Sequence, residues 1–362
     1  MASQAPVLIG AAALELLVRE IFLACGCDAA ESGRIATHLL GANLAGHDSH
    51  GVVRVPRYVD WVEAGYIVKG QHAEIVTDGG SFAVLDGKFG FGQTVAPQAV
   101  ALGIERAVQN GLCVTALRNA GHIGRVGDYA EKAIEAGLIS IHFVNVAGSV
   151  LVAPFGGVER RFSTAPFSVG VPLPGRPLVL DFATSLVAEG KVLVASNGGK
   201  PLPPNALVEP DGSLSGDPHT LYGPYDPIGP RDVSKGAGAI RAFGEHKGSG
   251  LAFMCEMLGG ALTAGGTSGP VKERTRIANG MLSIFLSPRH FGTQAEFERI
   301  GLAYAEWVSG CRPITPDAPV LLPGEPEAAT REKRVAEGVP LPQDAWANIQ
   351  ACAKRLGVKS AV

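Results

Sequence analysis

Asn119-Ala120-Gly121-His122-Ile123-Gly124-Arg125-Val126-Gly127 is the stretch on which the fold class turns. It follows the apolar run Cys113 to Leu117, which reads as a buried strand, and precedes Asp128 to Ala136, which reads as a helix. Strand, glycine turn and helix are the parts of a dinucleotide-binding unit, whose helix N-terminus attracts phosphate. That unit requires G-x-G-x-x-G at the turn and an acid about 20 residues on. Here the glycines run G-x-x-G-x-x-G, and the other candidate, Gly87-x-x-Gly90-x-Gly92, has the spacing reversed. The Rossmann fold is thereby rejected, while mixed α/β structure is kept. His122 and Arg125 add side-chain donors to the turn, which reads equally well as a ligand site or as an ordinary strand-to-helix connection.

Working outward, the chain alternates helix and strand at close spacing. Ala12 to Phe22 has apolar residues at Leu14, Leu16, Leu17, Ile21 and Phe22, a helical pattern. Asp28 and Glu31 have the spacing of a capping box for a helix ending near Ala45, with Gly46 as its stop. Pro56 to Gly65 and Val95 to Asn110 read as further helices, and Ile75 to Thr77, Phe82 to Leu85 and Ile139 to Val146 as strands. Residues 151–240 are rich in Gly and Pro, which favours short strands and long loops over regular βαβ units. Beyond them come a helix from Lys247 to Leu262, a strand from Met281 to Leu286 and a helix from Glu296 to Trp307. Pro313 to Glu327 reads as a surface loop, and Arg331 to Glu337 and Trp346 to Leu356 as closing helices.

Composition bounds the function. The 362 residues are 46 % hydrophobic and 18 % charged, enough apolar material for a large core and too little charge for a disordered chain. Lys and Arg number 31 against 34 Asp and Glu, without a basic cluster, so nucleic acid is not an expected partner. Glu15, Arg19 and Glu20 interrupt the first apolar run, so neither a signal peptide nor a membrane segment is read, and the cytoplasm is the expected compartment. Of six cysteines only Cys25 and Cys27 are close together, which does not complete a metal site.

Three further clusters carry ionisable groups. Gly46-His47-Asp48-Ser49-His50-Gly51 is followed by Arg54 and Tyr58. If Ser49 caps a helical turn, His50 and Arg54 share one face, although Pro56 opposes a continuous helix through Tyr58. A guanidinium can hold a carboxylate through two hydrogen bonds, and an imidazole beside it can give a proton to a ketone oxygen. The same residues could simply hydrogen-bond a tight loop. Asp181-Phe-Ala-Thr-Ser185 places an acid after a strand, as a partner for a histidine or as a helix cap. Glu245-His246-Lys247-Gly248 opens a helix with positive charge, against the dipole, which suits an anion.

Taken in order, several segments resemble the malate, L-lactate, ureidoglycolate and sulfolactate dehydrogenase family, which lacks a Rossmann domain. The carrying stretches are Ala42 to Gly51, Gly121 to Gly127, Val152-Ala-Pro-Phe-Gly156, Leu180 to Ser185, Glu245 to Gly248, Leu258-Gly-Gly-Ala-Leu262 and Leu322-Pro-Gly-Glu325. The resemblance implies a large, mainly antiparallel sheet in a cofactor domain over 119–289, a helical substrate and dimer domain from 1–75 with 290–362, and a small connecting domain over 76–118. It implies a homodimer, NAD or NADP as cofactor, no metal, and a small 2-oxo or 2-hydroxy acid as substrate. Cyclic imino acids are the alternative substrates, and a catalytically silent nucleotide-binding homologue is the alternative of another class.

The same resemblance assigns roles. His50 becomes the proton donor beside the nicotinamide, with Asp181 its acid partner and His122 a second acid–base and substrate candidate. Arg54 and Tyr58 become substrate contacts, Arg54 for the carboxylate. Cofactor contacts are expected at His50, Gly124, Arg125, Val126, Val179, Leu180, Asp181, Phe182, Ala183, His246, Asn279, Gly324, Glu325, Pro326 and Glu327. Ser163 and Ala165 stand where the family has Gly and Asn, so a backbone conformation and a hydrogen bond are expected to differ there. The Gly-rich stretch from Asp217 to Glu245 also departs from the family pattern.

Overall fold

The computed structural model describes residues 5–196, 198, 200–226, 231–270, 276 and 278–359. They divide into two compact units: a larger one of Pro6–His142, Ser168–Asp181 and Leu282–Val362, and a smaller one made chiefly of Phe143–Phe167 and Phe182–Met281. The expected connecting segment 76–118 belongs wholly to the larger unit, together with both helical ends of the chain.

In the larger unit the two chain ends build one core. Helix Ala11–Ala24 buries Leu14, Leu17, Val18, Ile21 and Phe22, an i, i+3, i+4, i+7 stripe. Leu16, read from the sequence as part of that set, lies off the stripe and is exposed. These residues pack with Ile35 and Leu39 of helix Ala29–Leu44 and with Val339, Leu341, Trp346 and Ile349 from the C-terminal end. Strand Val7–Ile9 pairs antiparallel with Val339–Leu341 and ties the ends together. Asp28 caps the second helix by accepting the Glu31 N–H at 2.7 Å. Glu31 does not complete the box. Its buried carboxylate accepts instead from the Gly70 N–H and the Thr94 hydroxyl, tying this helix to the next segments. Gly46 follows the helix end with φ +84°, as its role as a stop requires.

The largest sheet is mixed and mainly antiparallel, in the order Glu74–Asp78, Phe82–Asp86, Leu112–Ala120, Ala278–Leu286, Ile139–Ala147, Pro166–Val171, Leu178–Ala183. Its first pair is antiparallel; its second, Phe82–Asp86 with Leu112–Ala120, is parallel and is joined by the crossover helix Gly92–Asn110, a single βαβ unit within the mixed sheet. The strand Leu112–Ala120 delivers the glycine turn, and helix Gly127–Glu135 leaves it.

The smaller unit has its own four-stranded sheet, in the order Leu214–Ser215, Leu207–Val208, Ala239–Arg241, Val152–Ala153. Residues 227–230 of the divergent Gly-rich stretch lie outside the described residues. The single helix expected from Lys247 to Leu262 is instead an α-helix, His246–Cys255, followed by π-helical turns, Glu256–Ala261. Periodicity could not reveal this change. Glu256 is buried and accepts from Asn145 Nδ2, Ser163 Oγ and Ser268 N, while a Cβ on Gly259 or Gly260 would sit 2.8 or 2.5 Å from the chain around Asn145. A second correction concerns Pro313 to Glu327, whose last three residues already belong to helix Glu325–Glu337. Pro326 in that first turn is compatible with a helix start.

Candidate active site

The polar segment after Gly46 folds as two short 3-10 turns, Asp48–His50 and Val52–Arg54, before helix Val55–Glu63. His47, not Ser49, occupies the capping position of the first turn, and no side chain caps it. Gly51 separates the turns, so His50 and Arg54 are not partners on one helical face. The break has a packing cause. A Cβ on Gly51 would lie 2.1 Å from the Asn43 side-chain oxygen, and that oxygen accepts the Val52 N–H at 2.8 Å.

The side chains of this loop are held differently. Asp48 accepts from Asn43 at 2.6 Å and from both terminal nitrogens of Arg334 at 2.6 and 3.0 Å, so its charge holds the loop to helix Glu325–Glu337. His47 pairs with Glu327 at 3.4 Å. His50 differs, because its Nδ1 is buried without a hydrogen-bond partner although the residue as a whole is only half-buried. Arg54 donates through Nε to the Ser49 carbonyl at 2.6 Å, which turns its side chain back along the loop.

The glycine turn meets this loop. The rings of His50 and His122 stack with centroids 5.3 Å apart and planes 5° from parallel. Tyr58 is fully buried, and its hydroxyl shares a short hydrogen bond with His122 Nδ1. Gln93 Nε2 lies 3.2 Å from that hydroxyl and 3.0 Å from the His122 carbonyl oxygen. Gln93 sits in the first turn of helix Gly92–Asn110, and Gly92 lets that helix approach: a Cβ there would be 2.3 Å from the His122 carbonyl oxygen. No sequence reading had singled out Gln93. Its one signal is an uncharged polar side chain buried at a glycine-led helix start.

Electrostatics follow from burial. Desolvation, then the Arg54 charge, lowers the His50 pKa to about 3, and the same two causes in the same order hold His122 well below the usual imidazole value. Burial pushes the Tyr58 phenol up to about 12, so it keeps its proton at neutral pH. Two neutral imidazoles and a guanidinium are thus gathered at one place.

Beside them lies a charged network. Arg125, fully buried, donates through Nη1 to Asp128 and Glu131, both at 2.7 Å, while its Nε and Nη2 make no hydrogen bond. Burial disfavours its charge, but Asp128, Glu131 and Asp181 outweigh burial and hold the guanidinium protonated. Asp181 accepts the Gly127 N–H at 2.8 Å and lies 3.8 Å from Arg125 Nε. Its own pKa is raised, by burial first, against the lowering effects of His47 and Arg125.

The remaining expected cofactor positions fall in both units. In the larger one Gly124 has φ +74° and Val126 is buried. Gly324, with φ +95°, packs against Val179, whose N–H donates to the Pro323 carbonyl, and Leu180 is exposed. Glu325 pairs with Arg176 at 2.7 Å. In the smaller unit Phe182 packs edge-on to Phe243, followed by Ala183 at the strand end. There His246 opens its helix with its ring 5.9 Å from Phe155, and Asn279 donates to the Asn145 carbonyl at 2.7 Å. Ser163 both donates to Glu256 and accepts the Ala165 N–H, and Ala165 takes φ +31°, a left-handed conformation. Among the described residues no three His, Cys, Asp or Glu side chains gather as metal ligands would, and no helix is long and apolar enough to cross a membrane.

Comparison with known proteins gives a consistent picture. The family model described as malate/L-lactate dehydrogenase matches residues 9–350. Hydroxycarboxylate dehydrogenase B of Escherichia coli K12 is 41 % identical over 352 residues, covering 95 % of this chain and 93 % of that protein. The solved structure of sulfolactate dehydrogenase from Methanocaldococcus jannaschii superposes with a TM-score of 0.83 at 29 % identity, over 98 % of each chain. That of delta1-piperideine-2-carboxylate reductase from Pseudomonas syringae pvar. tomato gives 0.78 at 27 %, over 96 % of this chain and all of the other.

Proposed function

This chain belongs to the malate/L-lactate dehydrogenase family, whose dehydrogenases act on 2-hydroxy acids, and from that premise we propose that it interconverts small 2-hydroxy acids and 2-oxo acids with a nicotinamide cofactor, His50 carrying the proton. The observation that carries the reading is the parallel stack of His50 on His122, with Arg54 the strongest charge acting on both rings.

The polar atoms left without partners suit a nicotinamide nucleotide. Arg125 Nε and Nη2 are donors, Gln93 Oε1 is an acceptor, and His50 Nδ1 can be either. Gly124, Arg125, Val126, Val179 and Gly324 to Glu327 are the proposed contacts in the larger unit. When bound, the cofactor supplies or accepts the hydride. The chain's own residues do the rest. Arg54 holds the substrate carboxylate. Burial first and then the Arg54 charge depress the His50 pKa; the arriving anion offsets the second of these, and the transfer requires the imidazole to be protonated in the complex, from which it passes the proton to the ketone oxygen as the carbon is reduced. Oxidation of the hydroxy acid runs the same proton in reverse.

A second reading is reduction of cyclic imino acids, favoured by the structural likeness to the piperideine carboxylate reductase. A C=N group beside a carboxylate presents the same charges to Arg54 and His50. Oxidation of NADH and NADPH by a panel of 2-oxo acids and a cyclic imino acid separates the readings. In that assay His50→Ala is expected to lower turnover by ~10²–10⁴, with little change in cofactor affinity. Arg54→Ala is expected chiefly to raise the Michaelis constant of the acid. Full turnover in His50→Ala would remove it as proton carrier, and cofactor binding without turnover of any substrate would favour a silent homologue.

A further inference from the structure

We infer that Tyr58, oriented by the Gln93 amide, is a positioning residue that holds His122 as the tautomer protonated on Nε2. The role this serves rests on the function proposed above, but the hydrogen-bond argument does not. The His122 carbonyl can only accept, so the atom of Gln93 that lies 3.0 Å from it must be the amide nitrogen. The reversed amide would set two carbonyl oxygens against each other. That same nitrogen, 3.2 Å from the Tyr58 hydroxyl, directs its second hydrogen there. Tyr58 therefore accepts from Gln93, and its single O–H has His122 Nδ1 as its acceptor. The opposite arrangement, Nδ1–H donating to the phenol oxygen, would leave the buried Tyr58 proton without an acceptor, which native interiors avoid. With Nδ1 accepting, a neutral ring carries its proton on Nε2.

The consequence separates the two stacked rings by role. His122, kept neutral by burial and the Arg54 charge, offers a fixed N–H. Such a donor polarises a C=O or C=N group without giving up its proton, and the proton that is transferred comes from His50. Gly92 belongs to the same device, because only a residue without a Cβ lets the Gln93 helix start come so close to the His122 carbonyl.

The test uses the full-length protein with ¹⁵N-labelled histidine. The His122 ring is identified by the signals that vanish in His122→Asn, and the proton-bearing nitrogen is read from two-bond ring correlations at neutral pH. The expected pattern is Nε2–H. A ring protonated on Nδ1, or on both nitrogens, overturns the inference. Gln93→Glu keeps the shape but supplies one hydrogen when protonated, and none when ionised, where the amide had two. With that hydrogen on the His122 carbonyl, the carboxyl oxygen accepts the Tyr58 O–H; ionised, it likewise accepts the Tyr58 O–H. Tyr58 then accepts from Nδ1, and the tautomer should reverse. An unreversed ring in a folded Gln93→Glu overturns the role of Gln93. Should that variant not fold, Tyr58→Phe, which removes the O–H that holds His122 Nδ1 as an acceptor, should give a mixture of tautomers, and a pure Nε2–H ring would overturn the role of Tyr58. Turnover in either variant is expected to fall about 10- to 100-fold, as when tautomer-fixing partners are lost, with the Michaelis constant for cofactor little changed. If the Nε2–H pattern is found but no oxo or imino acid is reduced, the functional reading fails and this inference stands.

Discussion

At the scale of single residues, burial and then the Arg54 charge lower the pKa of both stacked histidines, His50 and His122, which favours neutral rings before any substrate arrives. These causes bring the His50 pKa to about 3, so at pH 7 the ring of the free protein is neutral, with one N–H and without the second, acidic proton of an imidazolium. Binding of an oxo acid anion must therefore draw one from solvent. Calorimetry in buffers of different ionisation enthalpy should find uptake of close to one proton per oxo acid bound near pH 7, and no uptake in His50→Ala. Buried neutral histidines also make stability pH-dependent. His142, between Ser283 and Ser140, is lowered by burial to about 3 as well. Between that value and the ordinary 6.5 the unfolded chain binds protons that the folded one does not. Their stabilising contribution is thus complete above about pH 6.5 and lost as pH falls toward 3. Melting temperature should drop steadily on acidification through that window, and a flat profile would contradict neutral burial.

At the scale of elements, the site is made by one helix start pressing on one turn. Helix Gly92–Asn110 brings Gln93 to the His122 backbone because Gly92 has no Cβ. Gly92→Ala would push a methyl against a backbone oxygen that cannot rotate away, a strain of about 1–3 kcal/mol. Thermal melting should show that loss, and turnover should fall with it as His122 is displaced; an unaltered melting curve would mean the contact is looser than the geometry states. This element-level contact also explains what the sequence could not convey. Helix periodicity found Val95 to Asn110, and the glycine turn was marked as a possible ligand site, but nothing local joins residue 93 to residues 58 and 122. The loop from His47 to Arg54 was legible as a dense polar cluster, whereas its sorting was not. Asp48 and His47 are held by Arg334 and Glu327, almost the whole chain away, which leaves His50 as the ring with an unpartnered buried nitrogen. The change from α- to π-helical turns at Glu256 depends likewise on Asn145, Ser163 and Ser268. In that setting Ser163 is part of a satisfied buried network, and Ser163→Ala should destabilise by about 1–3 kcal/mol through the donor Glu256 would lose.

At the scale of the whole molecule, the absence of a Rossmann fingerprint was a reliable guide, since the glycine turn follows a strand of a mixed, mainly antiparallel sheet. The helical patterns of the two chain ends did not by themselves join them; that they would combine was implied only by the family resemblance, and their shared core and the division into two units rest on long-range contacts. Every element that forms the His50, His122, Arg54 and Tyr58 cluster lies within the larger unit. The proposed function requires these groups to converge on one small acid. A crystal structure of the protein with reduced nicotinamide cofactor and oxamate, an unreactive 2-oxo acid analogue, tests it most directly. The predicted result is an oxamate carboxylate held by Arg54, with its carbonyl oxygen within hydrogen-bond reach of His50 and His122; an oxamate bound away from both rings would contradict it.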